Sequence, residues 1–331
     1  MLLEGHMPRI GLRRLALLAL GPGLIWTAGS TGAHAKESCV ASLKREAISA
    51  GVRPEVAERM LKGASFDEKV IRFSTSQPEY KTEIWDYMAF LVDAERIKDG
   101  KKNLRKHRQT LSAIEQRYGV NRNVVLAVWG IESDFGQFKG DFYTPHALAN
   151  LVCAGKRRQK YFRGELIKTL QIASRGDVPA NDFQGSWAGA FGQTQFMPST
   201  YNSLAVDFDG DGRKDLVNSV PDALASTANF LKNAGWRDSR AWGYEVKVPS
   251  GYSGPTGLKK RASLSTWGQR GFKKVGGGNV SGKTEAALIR PAGANGPAFL
   301  VTRNFNALRS YNASTSYGLA IALLSELVAD G

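Results

Sequence analysis

Residues 124–136 constrain the fold most, because this stretch is apolar on every helical face up to Ile131 and then carries Glu132. Asn121 can cap a helix that begins just after it, and Gly136 can end that helix. A helix that is apolar all round is buried. Burial disfavours the charged carboxylate, so the pKa of Glu132 should be raised and the group should hold a proton near neutral pH. That is the state a general acid needs. The other interpretation left open by this stretch is that Glu132 pairs with an arginine or a helix terminus.

The length and charge of the chain limit its class and its partners. Its 331 residues can bury a sizeable core in one large or two modest domains, and 42% apolar with 23% charged residues is ordinary for a folded soluble protein. The net charge of +15 indicates an anionic partner. Nucleic acid, an anionic membrane surface and an acidic polymer are the candidates.

The N-terminus is typical of an exported protein. Arginines within 9–14 precede an apolar run at 15–26, and an Ala-His-Ala site ends at Ala35. This pattern predicts a secretory signal over 1–35, cut near Ala35, with an uncleaved anchor as the alternative. We therefore expect a periplasmic protein, and export argues against nucleic acid as the partner.

The chain has two cysteines, Cys39 and Cys153. Residues 36–38 are not a lipid-attachment context, so no lipid anchor is expected. In an oxidising compartment the two cysteines could form a disulfide, and the sequence leaves open whether they do.

Periodicity predicts mostly helices before residue 240 and some strands after it. Leu104 to Tyr118 reads as one amphipathic helix with His107 packed on its apolar face, and residues 64–80 read as a connection. Tyr244–Val248 and Ala298–Val301 read as strands, and a helix over residues 317–328 ends the chain.

An acidic loop starts at Asp207 and follows the pattern of a calcium-binding EF-hand. Carboxylates at loop positions 1, 3, 5 and 9 and glycine at 6 match that pattern, whereas Asn218 replaces the glutamate of position 12. Asp222 could supply the missing carboxylate. The alternative is a solvated acidic turn. The predicted ligand set is Asp207, Asp209, Asp211, Arg213, Asp215 and Asp222.

Several segments together resemble the B-type lytic murein transglycosylases, glycoside hydrolase family 103. The segments occur in family order and span most of residues 40–331; they are 130–136, 157–162, 188–199, the loop from Asp207, and 309–317. The resemblance implies cleavage of the MurNAc–GlcNAc β-1,4 bond of peptidoglycan, with formation of a 1,6-anhydro product and without water. It implies that Glu132 is the catalytic acid and then the base.

The resemblance also implies a glycan groove and an overall organisation. The groove residues would be Arg157, Arg158, Tyr161, Ser186, Gln195, Tyr311, Asn312 and Tyr317. Phe230 stands where the family has a tyrosine. The implied fold is α+β and mostly α: an N-terminal helical domain (36–118), a lysozyme-like core with the calcium-type loop at 207–222 (119–239), and a small β-containing part with a C-terminal helix (240–331).

The resemblance implies no cofactor for catalysis and a structural calcium ion. Peptidoglycan glycan strands are the expected partner of a monomer, and other cell-wall enzymes stay open as partners.

Two other functions remain open. One is a water-using muramidase with Asp134 or Asp141 as second carboxylate, because ordinary glycosidases use two. The other is a peptidoglycan-binding protein without catalysis.

Overall fold

A computed structural model describes residues 30–64, 67–75, 83–237 and 241–329. Most of the predicted signal segment lies outside the described residues. The described residues form fourteen α-helices: α1 Ser30–Ser49, α2 Pro54–Leu61, α3 Glu68–Thr75, α4 Ile84–Leu91, α5 Ala94–Lys106, α6 Arg108–Tyr118, α7 Arg122–Ser133, α8 Thr144–Cys153, α9 Gln159–Arg175, α10 Pro198–Leu204, α11 Val220–Asn233, α12 Leu264–Gln269, α13 Arg303–Tyr311 and α14 Thr315–Leu327. None of these helices is both long enough and apolar enough to cross a membrane.

Seven short strands accompany the helices: β1 Phe142–Tyr143, β2 Gln184–Gly185, β3 Gly243–Lys247, β4 Arg261–Ser263, β5 Lys273–Lys274, β6 Glu285–Ile289 and β7 Ala298–Val301. Strands β1 and β2 pair with each other, and the other five form an antiparallel sheet in the order β4-β6-β7-β3-β5. All four residues of β7 are buried, which fits its central place in the sheet. The α+β, mostly α fold class is therefore confirmed.

Three hydrophobic cores organise the described residues. The first joins α4, α6, α7, α11 and the C-terminal helices, the second joins α1–α3 to α8 and α9, and the third lies on the five-stranded sheet. Phe230 and Tyr311 pack against both the first and the second core. These two cores cross the predicted boundary at residue 118, so the domain division, which stays a prediction, does not separate cores.

Helix α7 forms largely as the sequence predicts. Asn121 caps its start by accepting the N–H of Asn123 at 2.9 Å, and residues 124–133 are buried. Its end differs from the prediction: the C-cap is Asp134, in the left-handed region at φ 50°, two residues before Gly136. The Asp134 N–H still bonds back to Gly130, and an aspartate tolerates this conformation better than most residues.

Two helix predictions near the N-terminus were wrong. The predicted connection at 64–80 contains α3, whose Val70 reaches the second core. The predicted single helix over 104–118 is broken at His107, which ends α5 and begins α6. The break places the His107 ring edge-on to Trp129 of α7 at 5.4 Å. The prediction that His107 is packed on the apolar face is confirmed by this contact, and partial burial lowers its pKa.

The two cysteines pair. The disulfide Cys39–Cys153 joins α1 to the end of α8 across 114 positions of the chain, with Cα atoms 5.9 Å apart. It fastens the N-terminal helices to the second core, against which both cysteines pack. A cross-link that closes so long a loop restricts the unfolded chain strongly.

Replacing both cysteines by serine should lower the free energy of unfolding by about 2–5 kcal/mol, because the unfolded chain regains the entropy of an open loop. Urea denaturation under oxidising conditions measures the difference. Added dithiothreitol should destabilise the wild type and leave the double variant unchanged. Equal stability of the two proteins would contradict this role of the disulfide.

Candidate active site and acidic loop

Glu132 lies in the last turn of α7, and only 2% of its surface is exposed. Burial raises the pKa of its carboxyl above the ordinary value, and a hydrogen bond from Tyr317 acts in the opposite direction. The Tyr317 hydroxyl donates to Glu132 Oε1. No described residue donates to Oε2. Because Oε1 accepts the tyrosine proton, Oε2 is the oxygen left to carry the proton of the acid form.

Tyr317 and Tyr311 stand together beside this carboxyl. Tyr317 is fully buried in the first turn of α14, after the Ser314 N-cap. The two tyrosine rings are stacked with centroids 6.5 Å apart, and the Tyr311 hydroxyl donates to the carbonyl of Thr194 at 2.7 Å. Burial raises the pKa of both tyrosines well above the ordinary value, and an ionised Glu132 would raise it further. Both hydroxyls therefore keep their protons and act as donors.

The glycine-rich segment 184–198 forms the neighbouring wall. A Cβ on Gly185 would lie 2.1 Å from the Ala190 carbonyl, so this residue must be glycine for the backbone to pass. Ser186 lies on the same turn and is buried, with its Oγ accepting the N–H of Ala190 at 3.1 Å. This bond ties the Ser186 side chain to the turn.

Gln195 has an unsatisfied acceptor. It adopts the left-handed region at φ 50°, and its Nε2 donates to the carbonyls of Lys139 and Gly192 at 2.7 and 2.9 Å. Its Oε1 is buried and accepts no hydrogen bond from any described residue, and the same holds for Thr194 Oγ1. Buried polar atoms without partners are rare, so these two atoms are suited to bind a polar ligand.

The predicted groove residues of α9 form a separate group. The Arg158 guanidinium lies 4.2 Å from the centre of the Tyr161 ring, and both Arg157 and Arg158 are exposed. Tyr161 is half-buried against the second core. Among the described residues, no hydrogen bond, ion pair or ring contact joins this group to Glu132, so its membership of the same groove stays a prediction.

Phe230 and Asn312 complete the surroundings of Tyr311. The centre of the Phe230 ring lies 4.7 Å from that of the Tyr311 ring. A phenyl ring therefore stands here at the position where the family resemblance implies a tyrosine. Asn312 ends α13, and its Oδ1 accepts the N–H of Ser314 at 3.1 Å. Asn312 thereby shapes the short turn between the two tyrosines.

The acidic loop 207–222 gathers carboxylates. Oxygen atoms of Asp207, Asp209 and Asp211 lie within 4.8 Å of one another. Close like charges repel each other, and such hard oxygen atoms suit a hard divalent cation. The buried Asp222 accepts the N–H of Phe208 at 2.7 Å and that of Asp215 at 2.9 Å.

The remaining members of the predicted ligand set shape the loop backbone. Asp215 Oδ1 accepts the N–H groups of Val217 and Asn218, both at 2.9 Å, and the Arg213 N–H bonds to Asp211. Direct ligation by Asp215, Arg213 and Asp222 stays a prediction.

The structure thus joins Glu132, Tyr317, Tyr311 and the segment around Gln195 into one connected group. Sequence reasoning did not single out Thr194 or Gln193 within that segment. Both residues lie in the 188–199 segment, but its sequence alone does not show which side chains turn inward. Tyr87 is buried on α4, whereas Trp85, two residues before it, is exposed. Only the helical period of α4 places the two rings in these different environments.

Comparison with known proteins identifies the family. The sequence matches the transglycosylase SLT domain over residues 35–326. It is 31% identical over 269 residues to the membrane-bound lytic murein transglycosylase B of Escherichia coli, covering 80% of this chain and 72% of that protein. The chain belongs to the transglycosylase SLT domain family. The family resemblance predicted from the motifs is therefore confirmed.

Solved structures agree with this membership. SltB3 from Pseudomonas aeruginosa, solved in complex with NAG-anhNAM-pentapeptide, superposes with a TM-score of 0.85 at 39% identity, covering 89% of this chain and 80% of that chain. The E. coli lytic transglycosylase Slt35, solved in complex with calcium, superposes with a TM-score of 0.75 at 26% identity, covering 89% and 92%. The lysozyme-like lytic transglycosylase fold expected from the motifs is thus confirmed.

The raised pKa of Glu132 has a consequence for stability. As the pH rises above 4.5, the ordinary pKa, the carboxyl ionises in the unfolded chain while it stays protonated in the folded protein. The stability of the wild type should therefore fall with rising pH relative to Glu132→Gln. We expect the melting temperature of the variant to exceed that of the wild type by a margin that grows from pH 5 to pH 8.

Glu165→Gln is the matched control. Glu165 is equally buried, but it accepts the N–H of Ser199 at 2.8 Å and lies 3.8 Å from Lys168. Its replacement should lower the melting temperature. A constant difference between the wild type and Glu132→Gln over this pH range would show that Glu132 ionises normally in the folded state.

Proposed function

We propose that this lytic transglycosylase cleaves the β-1,4 bond between MurNAc and GlcNAc in peptidoglycan and leaves a 1,6-anhydroMurNAc end. Glu132 acts as the acid and then as the base. The observation that carries the proposal is a single desolvated carboxyl whose described hydrogen-bond partner is one tyrosine hydroxyl. Burial raises the pKa of such a carboxyl toward neutral pH, which matches it to donating a proton.

The proton returns to Glu132 within one turnover. Glu132 Oε2 gives its proton to the glycosidic oxygen as the bond from C1 to that oxygen breaks. The resulting carboxylate then takes the proton from the C6 hydroxyl while O6 closes on C1. No water is consumed, and Glu132 ends protonated as it began. The Tyr317 hydroxyl stabilises the carboxylate between the two steps by donating to Oε1.

An internal nucleophile removes the need for a second carboxylate and benefits from high effective molarity. Of the two candidates for a second carboxylate, one is paired with an arginine and the other is exposed to solvent. Asp134 pairs with Arg96 at 3.6 Å and accepts from Gln137, and Asp141 is exposed in a turn. These contacts support the non-hydrolytic reaction over the water-using muramidase.

The polar atoms near the carboxyl suit an amino sugar. The unpaired Gln195 Oε1 can accept an N-acetyl N–H or a sugar hydroxyl, and the rings of Tyr311 and Phe230 offer apolar surface to a sugar face. Ser186 and Asn312 line the neighbouring turns. Arg157 and Arg158, exposed beside Tyr161, can meet lactyl or peptide carboxylates.

We also propose that the acidic loop binds calcium, because its oxygen cluster suits that ion and a homologous structure was solved with it. The ion would neutralise the three aspartates, held in a loop that Asp215 and Asp222 brace. The proposed location is the periplasm. Cys39 is engaged with Cys153, which supports the prediction that it does not carry a lipid.

Digestion of purified peptidoglycan, followed by mass spectrometry of the soluble fragments, tests the reaction. The wild type should release fragments one water lighter than reducing muropeptides, and Glu132→Gln should release none. Reducing ends would indicate the muramidase and direct attention to Asp134 and Asp141. If the folded wild type releases no fragment, the remaining interpretation is a peptidoglycan-binding protein without catalytic activity.

Tyr317→Phe tests the partner of the acid. It removes the donor to Oε1, so we expect kcat to fall by about 10²-fold, with little change in KM. Since the lost hydrogen bond lowers the pKa of Glu132, the alkaline limb of the kcat profile should move to higher pH. Tyr201→Phe, which removes a buried hydroxyl bonded to the Lys214 carbonyl, is the control and should leave that limb in place. An unchanged limb in Tyr317→Phe would mean that the two groups are not coupled.

A further inference from the structure

Gln193 connects the acidic loop to the helix that carries Glu132. Gln193 is 4% exposed. Its backbone N–H and C=O and its side-chain Nε2 and Oε1 each form a hydrogen bond to one of these two elements. Toward the loop, its backbone N–H donates to the carbonyl of Leu216 at 2.8 Å and its Nε2 donates to that of Val217 at 3.1 Å. The two donors of Gln193 therefore bind the carbonyls of two consecutive loop residues.

Toward α7, Gln193 offers its two acceptors. Trp129 Nε1 donates to Gln193 Oε1 at 3.0 Å, and Ser133 Oγ donates to the Gln193 carbonyl. Trp129 and Ser133 lie three residues before and one residue after Glu132, so the bonds hold the helical turn on both sides of the acid. A Cβ at Gly136 would lie 2.5 Å from Gln193 Oε1, which shows how closely the two segments approach.

The loop end at Leu216 and Val217, to which Gln193 is bonded, is itself held by loop carboxylates. Asp215 accepts the N–H of Val217 at 2.9 Å, and the buried Asp222 accepts the N–H of Asp215 at the same distance. A shift in these carboxylates moves the Leu216 and Val217 carbonyls. A bound cation would fix the carboxylates of the loop, whereas without one their mutual repulsion favours a wider arrangement.

We propose that Gln193 is a positioning residue that transmits the arrangement of the 207–222 loop to Glu132. The inference rests on the proposed roles of Glu132 and of the loop. Gln193 donates toward the loop and accepts from α7, so a displacement of the loop end pulls on the turn of Trp129, Glu132 and Ser133. Small displacements of a catalytic group cost large factors in rate. The loop thereby controls kcat as well as stability.

The test compares calcium with EGTA in the wild type and in Gln193→Met, which keeps the backbone bonds and removes both side-chain bonds. In the wild type, calcium should raise both the melting temperature and kcat on soluble glycan strands, the latter by about 5-fold or more. In Gln193→Met, calcium should still raise the melting temperature, because the loop ligands are intact. Its kcat should be about tenfold lower than that of the wild type, with KM little changed. This kcat should respond much more weakly to calcium, because only the two backbone bonds of Gln193 still join the loop to α7.

A second variant breaks the same connection on the other side. Trp129→Phe removes the donor to Gln193 Oε1, leaves the bonds of Gln193 to the loop in place, and should also weaken the response of kcat to calcium. It decides the question if Gln193→Met does not fold or if its melting temperature no longer responds to calcium. Gln171→Met is the matched control, since it removes a comparable bond from Nε2 to the Ala50 carbonyl and should keep the wild-type response.

Two results would overturn the inference. One is a wild-type kcat that ignores calcium while the melting temperature responds. The other is a kcat in Gln193→Met that responds to calcium as strongly as in the wild type. Neither result would remove the anhydro fragments released by the wild type, so failure of this inference is distinguishable from failure of the proposed reaction.

Discussion

The structure depends on keeping one carboxyl in the interior without a charged partner. Three acidic side chains are buried among the described residues: Glu132, Glu165 and Asp222. Glu165 and Asp222 accept backbone N–H groups, which stabilise a charged carboxylate. The described partner of Glu132 is a neutral hydroxyl. Two of the buried acids therefore brace backbone N–H groups, whereas the third is held by a single side-chain hydroxyl.

This enclosure is assembled from distant parts of the chain. Glu132 and its partner Tyr317 are 185 positions apart, and Tyr311 packs where the first and second cores meet. Neither core alone would exclude water from the carboxyl. The disulfide fastens the N-terminal helices to the second core, so it also supports one wall of the site from outside it. Burying an ionisable group costs stability, and the surrounding cores and cross-link offset that cost.

The sequence predicts what is local and leaves open what depends on contacts between distant residues. The apolar stretch after Asn121 predicts α7, and the short apolar run Ala298–Val301 predicts β7 at its observed bounds. Strand β4 is three residues long and polar, so no period was visible in it. The spacing of apolar residues does not show that the helix breaks at His107, whose ring packs on Trp129. The motif around Gln193 does not show that its side chain links two elements.

The end of α7 shows how a local difference from the prediction bears on the chemistry. A helix continuing to Gly136 would keep Asp134 in helical conformation near the acid. Instead, Asp134 and Phe135 both take positive φ, and the Asp134 carboxylate pairs with Arg96. The Phe135 ring then packs edge-on to Trp129 at 5.6 Å. It also lies against Gly130, where an added Cβ would come within 2.6 Å of the ring. The helix end thus engages the nearest second carboxylate elsewhere, and this favours a reaction in which the sugar supplies its own nucleophile.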